Sequence, residues 1–211
     1  MKTILISLAS TVLITMSAQA QIPSGYTVTV ALFNDAHVPP SILNNASETA
    51  SYIFSKSGIQ LRWMLCGRGD ETPEERSACS QPSFPEHLDV HIVSGCPRLP
   101  TNVFAISYLS PEGIGSQADV FYTRIAAFRS PAELRVLLGY AMAHELGHLL
   151  LGTDSHSPRG LMRADWRTKD LTGMAQGGLG FSEEQGRTMK AKPSTFALRK
   201  ESSLGRSSAG R

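Results

Sequence analysis

The sequence predicts an α+β fold with an α/β-like beginning: a mixed sheet of about five strands with helices packed on it, forming one domain over residues 21–190. Three observations carry that expectation. The chain opens strand, helix, strand; three further short strand patterns come next with brief connections; and a long, capped, apolar helix comes after them.

The elements are read in order. Tyr26 to Phe33 alternates Thr with apolar residues, which is the period of a strand. Pro39-Pro40-Ser41 opens helical spacing from Ile42 to Ser57, closed by Gly58, and Ile59 to Leu65 returns to strand character. A strand–helix–strand unit of this kind favours a parallel pair with a right-handed crossover. Cys66 to Glu86 is polar and rich in Gly, Glu and Pro, so it reads as a surface loop. Leu88 to Val93, Val103 to Leu109 and Ala118 to Thr123 are the later strands, and their short connections allow one antiparallel edge.

Ser130-Pro131-Ala132-Glu133 then marks a helix start: an N-cap serine, proline at the first helical position and glutamate three residues after the cap. Good helix formers run from Leu134 to Leu151, and Gly152 stands where a left-handed cap is expected. The run is apolar around most of the cylinder, so the helix belongs inside the domain. Ser182-Glu183-Glu184-Gln185 begins a short last helix. From about residue 191 to Arg211 the chain reads as a flexible basic tail, with Lys192, Arg199, Lys200, Arg206 and Arg211 against Glu201 alone.

The first twenty residues form a separate object. Lys2, an apolar run from Ile4 to Met16 and the small residues Ala18-Gln19-Ala20 make a secretory signal peptide cleaved near Ala20. The mature protein is then secreted or periplasmic. No later stretch is apolar enough for a bilayer span, so stable membrane insertion is not expected. The few residues between Ala20 and the first strand leave no room for a propeptide of useful size. The formal charge is +2, or +1 without Lys2, which implies no general electrostatic partner; nucleic-acid binding is not expected, and neither is an oligomer.

Cys66, Cys79 and Cys96 lie in the exported part, where an oxidising compartment allows one disulfide. Cys66 and Cys79 bracket the polar loop and are the favoured pair, with Cys79–Cys96 and Cys66–Cys96 as the other arrangements. Cysteine has no metal-ligand spacing here.

The chemistry lies in the long helix. His144-Glu145-Leu146-Gly147-His148 puts two histidines four residues apart on one face, near enough to grip one cation. Glu145, beside the first histidine, is placed to take a proton from a metal-bound water. The run from His144 to Met162 resembles the zinc signature of metzincin peptidases, closest to the matrixin form. His144, Glu145, His148, Pro158 and Met162 fall in register with that pattern. Two positions depart from it. The turn glycine comes one residue late, at Gly152 in place of Leu151, and the third-ligand position holds Asp154, with His156 two residues on. An aspartate ligand occurs in the snapalysin-like branch. The delayed turn favours His156, and Asp154 is the alternative ligand or a partner orienting an imidazole.

The resemblance implies a metzincin-like single domain: a twisted mixed sheet, the active-site helix, a Met-turn at Met162 and a short C-terminal helix. It also implies Zn²⁺ held by three side chains, Glu145 as base, and a peptide or protein substrate laid along an antiparallel edge strand. By order, Gly115 to Thr123 is the candidate for that strand. Trp166 reads as core packing, and His37, His87 and His91 as surface or strand residues. Two other readings stay open. One is a metzincin-like peptide-binding module whose zinc is structural, against which the intact Glu145 speaks; the other is a zinc hydrolase of a non-peptide amide.

Overall fold

A computed structural model describes residues 26–80, 87–127, 130–166 and 168–192. The elements are β1 (Tyr26–Phe33), α1 (Pro40–Ser55), β2 (Ile59–Cys66), α2 (Pro73–Cys79), β3 (His87–Val93), β4 (Ala105–Tyr108), β5 (Gln117–Phe121), α3 (Tyr122–Ala126), α4 (Pro131–Leu151) and α5 (Thr168–Ala175). A last helix, α6, covers residues 183–192.

The strands form one mixed sheet in the order β2-β1-β3-β5-β4. β1 pairs in parallel with β2 from Tyr26↔Ile59 to Phe33↔Cys66, and β3 pairs in parallel with β1 and β5. Only β4 runs the other way, pairing Ala105 with Val120 and Tyr108 with Gln117. Period-two alternation decides which residues go inward. Val28, Val30 and Leu32, then Leu88, Val90 and Ile92, then Ala118 and Val120 are all buried. Together with Leu43, Ala46, Ala50, Ile53 and Phe54 of α1 and the apolar length of α4 they make one hydrophobic cluster. Burying each large aliphatic side chain contributes about 1.5–3 kcal/mol.

α4 packs on α1 and reaches β4 and β5. Every residue from Leu137 to Leu150 is buried, as an all-round apolar helix requires. Its crossing with α1 is close because position 139 lacks a side chain: a Cβ there would stand 2.6 Å from the Ala46 carbonyl oxygen and 2.6 Å from Thr49 Cβ. Its start carries a full capping box between Ser130 and Glu133. Among the described residues no helix is long and apolar enough to cross a membrane.

The structure corrects four expectations. The stretch after Cys66 is not all loop, because Thr72 and Glu75 form a second capping box that starts α2. This short helix buries no residue, and its last residue, Cys79, is disulfide-bonded to Cys66; Cys96 is free. The strand from residue 117 ends at Phe121, and the chain turns at once into α3. β5 has both edges filled by β3 and β4, so Gly115 to Thr123 cannot accept a further strand; the antiparallel edge is β4. Helix α6 runs on through residue 192, past the point where a tail was expected. The expected signal peptide over residues 1–20 and the expected tail beyond residue 192 lie outside the described residues.

Candidate metal centre

His144 and His148 lie in the last two turns of α4, and the orientation of their rings is set by the segment C-terminal to the helix. Gly152 adopts φ 69° and ψ 37°, a left-handed conformation that suits glycine, and its N–H bonds the His148 carbonyl at 2.8 Å. The chain therefore reverses, and the Thr153 carbonyl oxygen comes 2.7 Å from His148 Nδ1. The Leu161 carbonyl oxygen lies 3.0 Å from His144 Nδ1. A carbonyl only accepts, so each Nδ1 carries the proton and each Nε2 presents a lone pair.

Those two Nε2 atoms are 3.0 Å apart. Burial, with His148 and His156 adding to it, pushes His144 down to about 3; burial likewise pushes His148 down. Both rings are thus neutral, with lone pairs aimed at one point, an arrangement that calls for a cation. The His156 ring completes it, with centroids 5.3 Å from His144 and 4.9 Å from His148. One nitrogen from each of the three histidines lies within 4.8 Å of the others, and among the described residues this is the group able to hold a metal ion. Asp154 is exposed and outside the group; its charge acts on His148 by favouring the protonated form. The donor set, three imidazoles, fits a divalent metal of the zinc type.

The segment after the turn closes the centre from below. Met162 is fully buried, and Gly147 is what admits it: a Cβ at 147 would stand 2.7 Å from both Met162 Sδ and Phe181 Cε1. The Ser157 N–H bonds the Met162 carbonyl at 2.6 Å, the Leu161 N–H bonds the Gly180 carbonyl at 3.0 Å, and Gln185 of α6 holds Ser157 Oγ at 2.8 Å. Trp166 Nε1 donates to the same Leu161 carbonyl that orients His144, at 3.1 Å. Its ring meets His144 edge-on at 5.5 Å and also forms part of a cavity wall, so it does more than fill the core. Arg163 pairs with Asp170 at 2.7 Å, tying this segment to α5.

Glu145 is 6% exposed and faces a cavity of about 520 Å³ that opens beside His144 and His156. Burial raises its carboxyl to about 7, opposed by a hydrogen bond with the Ser107 side chain on β4. Val103, Phe104, Ala105, Ala141 and Trp166 give this cavity a mainly apolar lining, and Asn102, Arg163 and Asp165 add polar groups. A carboxyl kept near neutrality, next to a metal position and an open cavity, is suited to proton transfer.

The other histidines take no part in the group. His91 bonds Asp35 through Nδ1 at 2.9 Å and stacks on Phe33, while His87 is buried on β3. Sequence reasoning missed Ser107, which only the sheet brings to Glu145, and Arg163, which follows Met162 directly and lines the cavity.

No family model and no curated protein matches this chain. Solved structures do. A zinc-dependent peptidase from Methanocorpusculum labreanum (strain Z) aligns with a TM-score of 0.51 at 15% identity, over 76% of this chain and 99% of the other. An archaemetzincin from Methanopyrus kandleri aligns with a TM-score of 0.49 at 16% identity, over 80% of this chain and 97% of the other. At these identities the likeness is one of fold, and the first of the two shows that the mixed sheet with its long helix has the architecture of a zinc-dependent peptidase.

Proposed function

We propose that this chain is a zinc metallopeptidase of metzincin-like type, an exported endopeptidase acting on peptide or protein substrates. The observation that carries it is the convergence of His144, His148 and His156 beside the buried Glu145 at the mouth of a cavity. The fold shared with a zinc-dependent peptidase supports the same reading.

In this reading the three imidazoles are the ligands, and Met162 packs beneath them without ligating. A zinc ion held there supplies Lewis acidity: it polarises a carbonyl oxygen and lowers the pKa of water. The protein supplies the rest. Glu145, held near neutrality by burial, accepts the proton of the attacking water and returns it to the leaving nitrogen. The Leu161 and Thr153 carbonyls keep both helix-borne rings in the tautomer whose Nε2 can ligate. The free edge of β4, which carries Ser107 next to Glu145, is the strand along which an extended peptide adds.

Export rests on Lys2, the run from Ile4 to Met16 and Ala18-Gln19-Ala20. N-terminal sequencing of the mature protein should then begin at Gln21. The deciding experiment for activity is digestion of a random peptide library by the zinc-loaded protein, with and without a chelator. Cleavage that stops on chelation and returns with zinc supports the reading. A zinc-loaded protein that cleaves nothing, or cleavage unaffected by Glu145→Ala, rejects it.

A further inference from the structure

One wall of the cavity is built by a segment that does not hold itself together. Residues 94–104 connect β3 to β4 and contribute Asn102, Val103 and Phe104 to the lining. Internally this loop shows two backbone hydrogen bonds, Leu99 N–H to the Cys96 carbonyl at 3.3 Å and Val103 N–H to the Pro100 carbonyl at 3.1 Å. Pro97 and Pro100 have no N–H to offer.

Four of the loop's carbonyls are gathered by a single side chain from α3. Arg124 Nη1 donates to the Pro100 carbonyl at 2.8 Å and to the Val103 carbonyl at 2.6 Å. Its Nη2 donates to the Leu99 carbonyl at 2.9 Å and to the Cys96 carbonyl. The guanidinium also sits over the Phe121 ring, 4.7 Å from its centroid. Next to it, the Thr123 N–H bonds the Ser94 carbonyl at 3.2 Å, so the first turn of α3 holds the loop at its start and along its length. Four carbonyls converging on one guanidinium use the fixed planar fork of arginine; an ammonium has three donors and no such plane. The Val103 carbonyl directly precedes Phe104, whose own carbonyl accepts from the Phe121 N–H of β5 at 2.8 Å, so the wall hangs between the sheet on one side and the guanidinium on the other. The facing wall, Ala141 and Trp166, is fixed independently by α4 and the Leu161 carbonyl.

We propose that Arg124 is a positioning residue that sets the width of this cavity, and so its preference for a large apolar side chain on the substrate. The inference rests on the peptidase reading for its substrate, but not for its test. Away from the histidines and Glu145 the lining is mainly apolar, with Asn102 and Asp165 as polar groups and Arg163 paired with Asp170. Arg124 touches neither the metal position nor Glu145, so its loss acts on the pocket and leaves the centre intact.

The test compares two metal-chelating probes on the zinc-loaded full chain by calorimetry: acetohydroxamic acid, which has no side chain, and 3-phenylpropanohydroxamic acid, which extends a phenyl group. The wild-type protein should bind the phenyl probe at least about tenfold tighter, since its ring removes apolar surface from water. In Arg124→Ala that ratio should fall at least about fivefold, with acetohydroxamate affinity changed less than about twofold, because the hydrogen bonds that hold the loop behind the wall, including the one to Val103, are gone. Arg124→Lys should retain only part of the preference. Phe104→Ala reports on the wall without touching the guanidinium: it should lose the same preference, and the double variant should add little beyond either single one. The proposal is overturned if wild type does not discriminate between the probes, if Arg124→Ala keeps the full ratio, or if both probes weaken equally. No step depends on turnover, so a protein that discriminates between the probes and cleaves no peptide rejects the peptidase reading while leaving this one standing.

Discussion

Two halves of the metal centre are built in different ways. His144 and His148 ride on a buried helix, and each has its Nδ1 tied to a backbone carbonyl. His156 is exposed, lies on the turn after Gly152, and contacts the other two rings through packing alone. The helix-borne pair is therefore fixed by folding, before any ion arrives. The loop-borne ring is brought near by the left-handed turn and owes the rest of its order to its neighbours. A preformed pair with a more adjustable third arm can accept an ion and then close on it.

That contrast is open to direct tests. The largest effect belongs to Glu145. Glu145→Gln should lower turnover about 10²–10⁴-fold while the protein retains its zinc, measured by kcat alongside metal content. Loss of zinc in that variant would show instead that the glutamate builds the centre. Next come the ligands. His148→Ala should remove a preorganised arm and abolish stable zinc binding, and His156→Ala should weaken it by a smaller factor. Asp154→Ala should cost no more than about tenfold. Competition with a chelator ranks the three, and an Asp154 variant that loses more than the His156 variant would reverse the assignment.

Gly147→Ala probes the packing that both halves share. Its methyl would press on Met162 and Phe181, costing about 1–3 kcal/mol in chemical denaturation.

The smallest effect is in pH. His144 has a folded pKa of about 3 against 6.5, so its contribution to metal-free stability is present above pH 6.5 and lost as pH falls toward 3. Glu145 runs the other way: raised from 4.5 to about 7, its contribution is present below pH 4.5 and lost as pH rises through 7. Metal-free Glu145→Gln should therefore gain stability relative to wild type between pH 4.5 and 7, by no more than about 3 kcal/mol. A difference that stays flat across that window would mean the carboxyl is not held near neutrality by burial.

How much of this was legible beforehand depends on whether a feature is local. The strand–helix–strand opening, the capping box at Ser130 and the histidine pair at helical spacing are patterns within a few residues of one another. They depend on backbone periodicity and on terminal hydrogen bonds that must be satisfied nearby. The capping box at Thr72 is equally local, and composition overshadowed it: a polar, glycine-rich stretch reads as loop although it contains a helix start. The edge strand was not legible, because order along the chain does not say which strand lies outermost; β4 takes the edge although β5 comes after it in the chain.

The sequence by itself determined the long buried helix, its glycine stop and the chemical identity of the candidate ligands and base, since spacing and capping are properties of the chain. Only the tertiary structure decided that His156 joins the helix pair while Asp154 stays outside, because that depends on where a left-handed turn sends the chain next. It also decided that Trp166 and the Arg124-held loop face each other across a cavity beside Glu145. Those contacts join residues more than twenty positions apart, and no local periodicity encodes them.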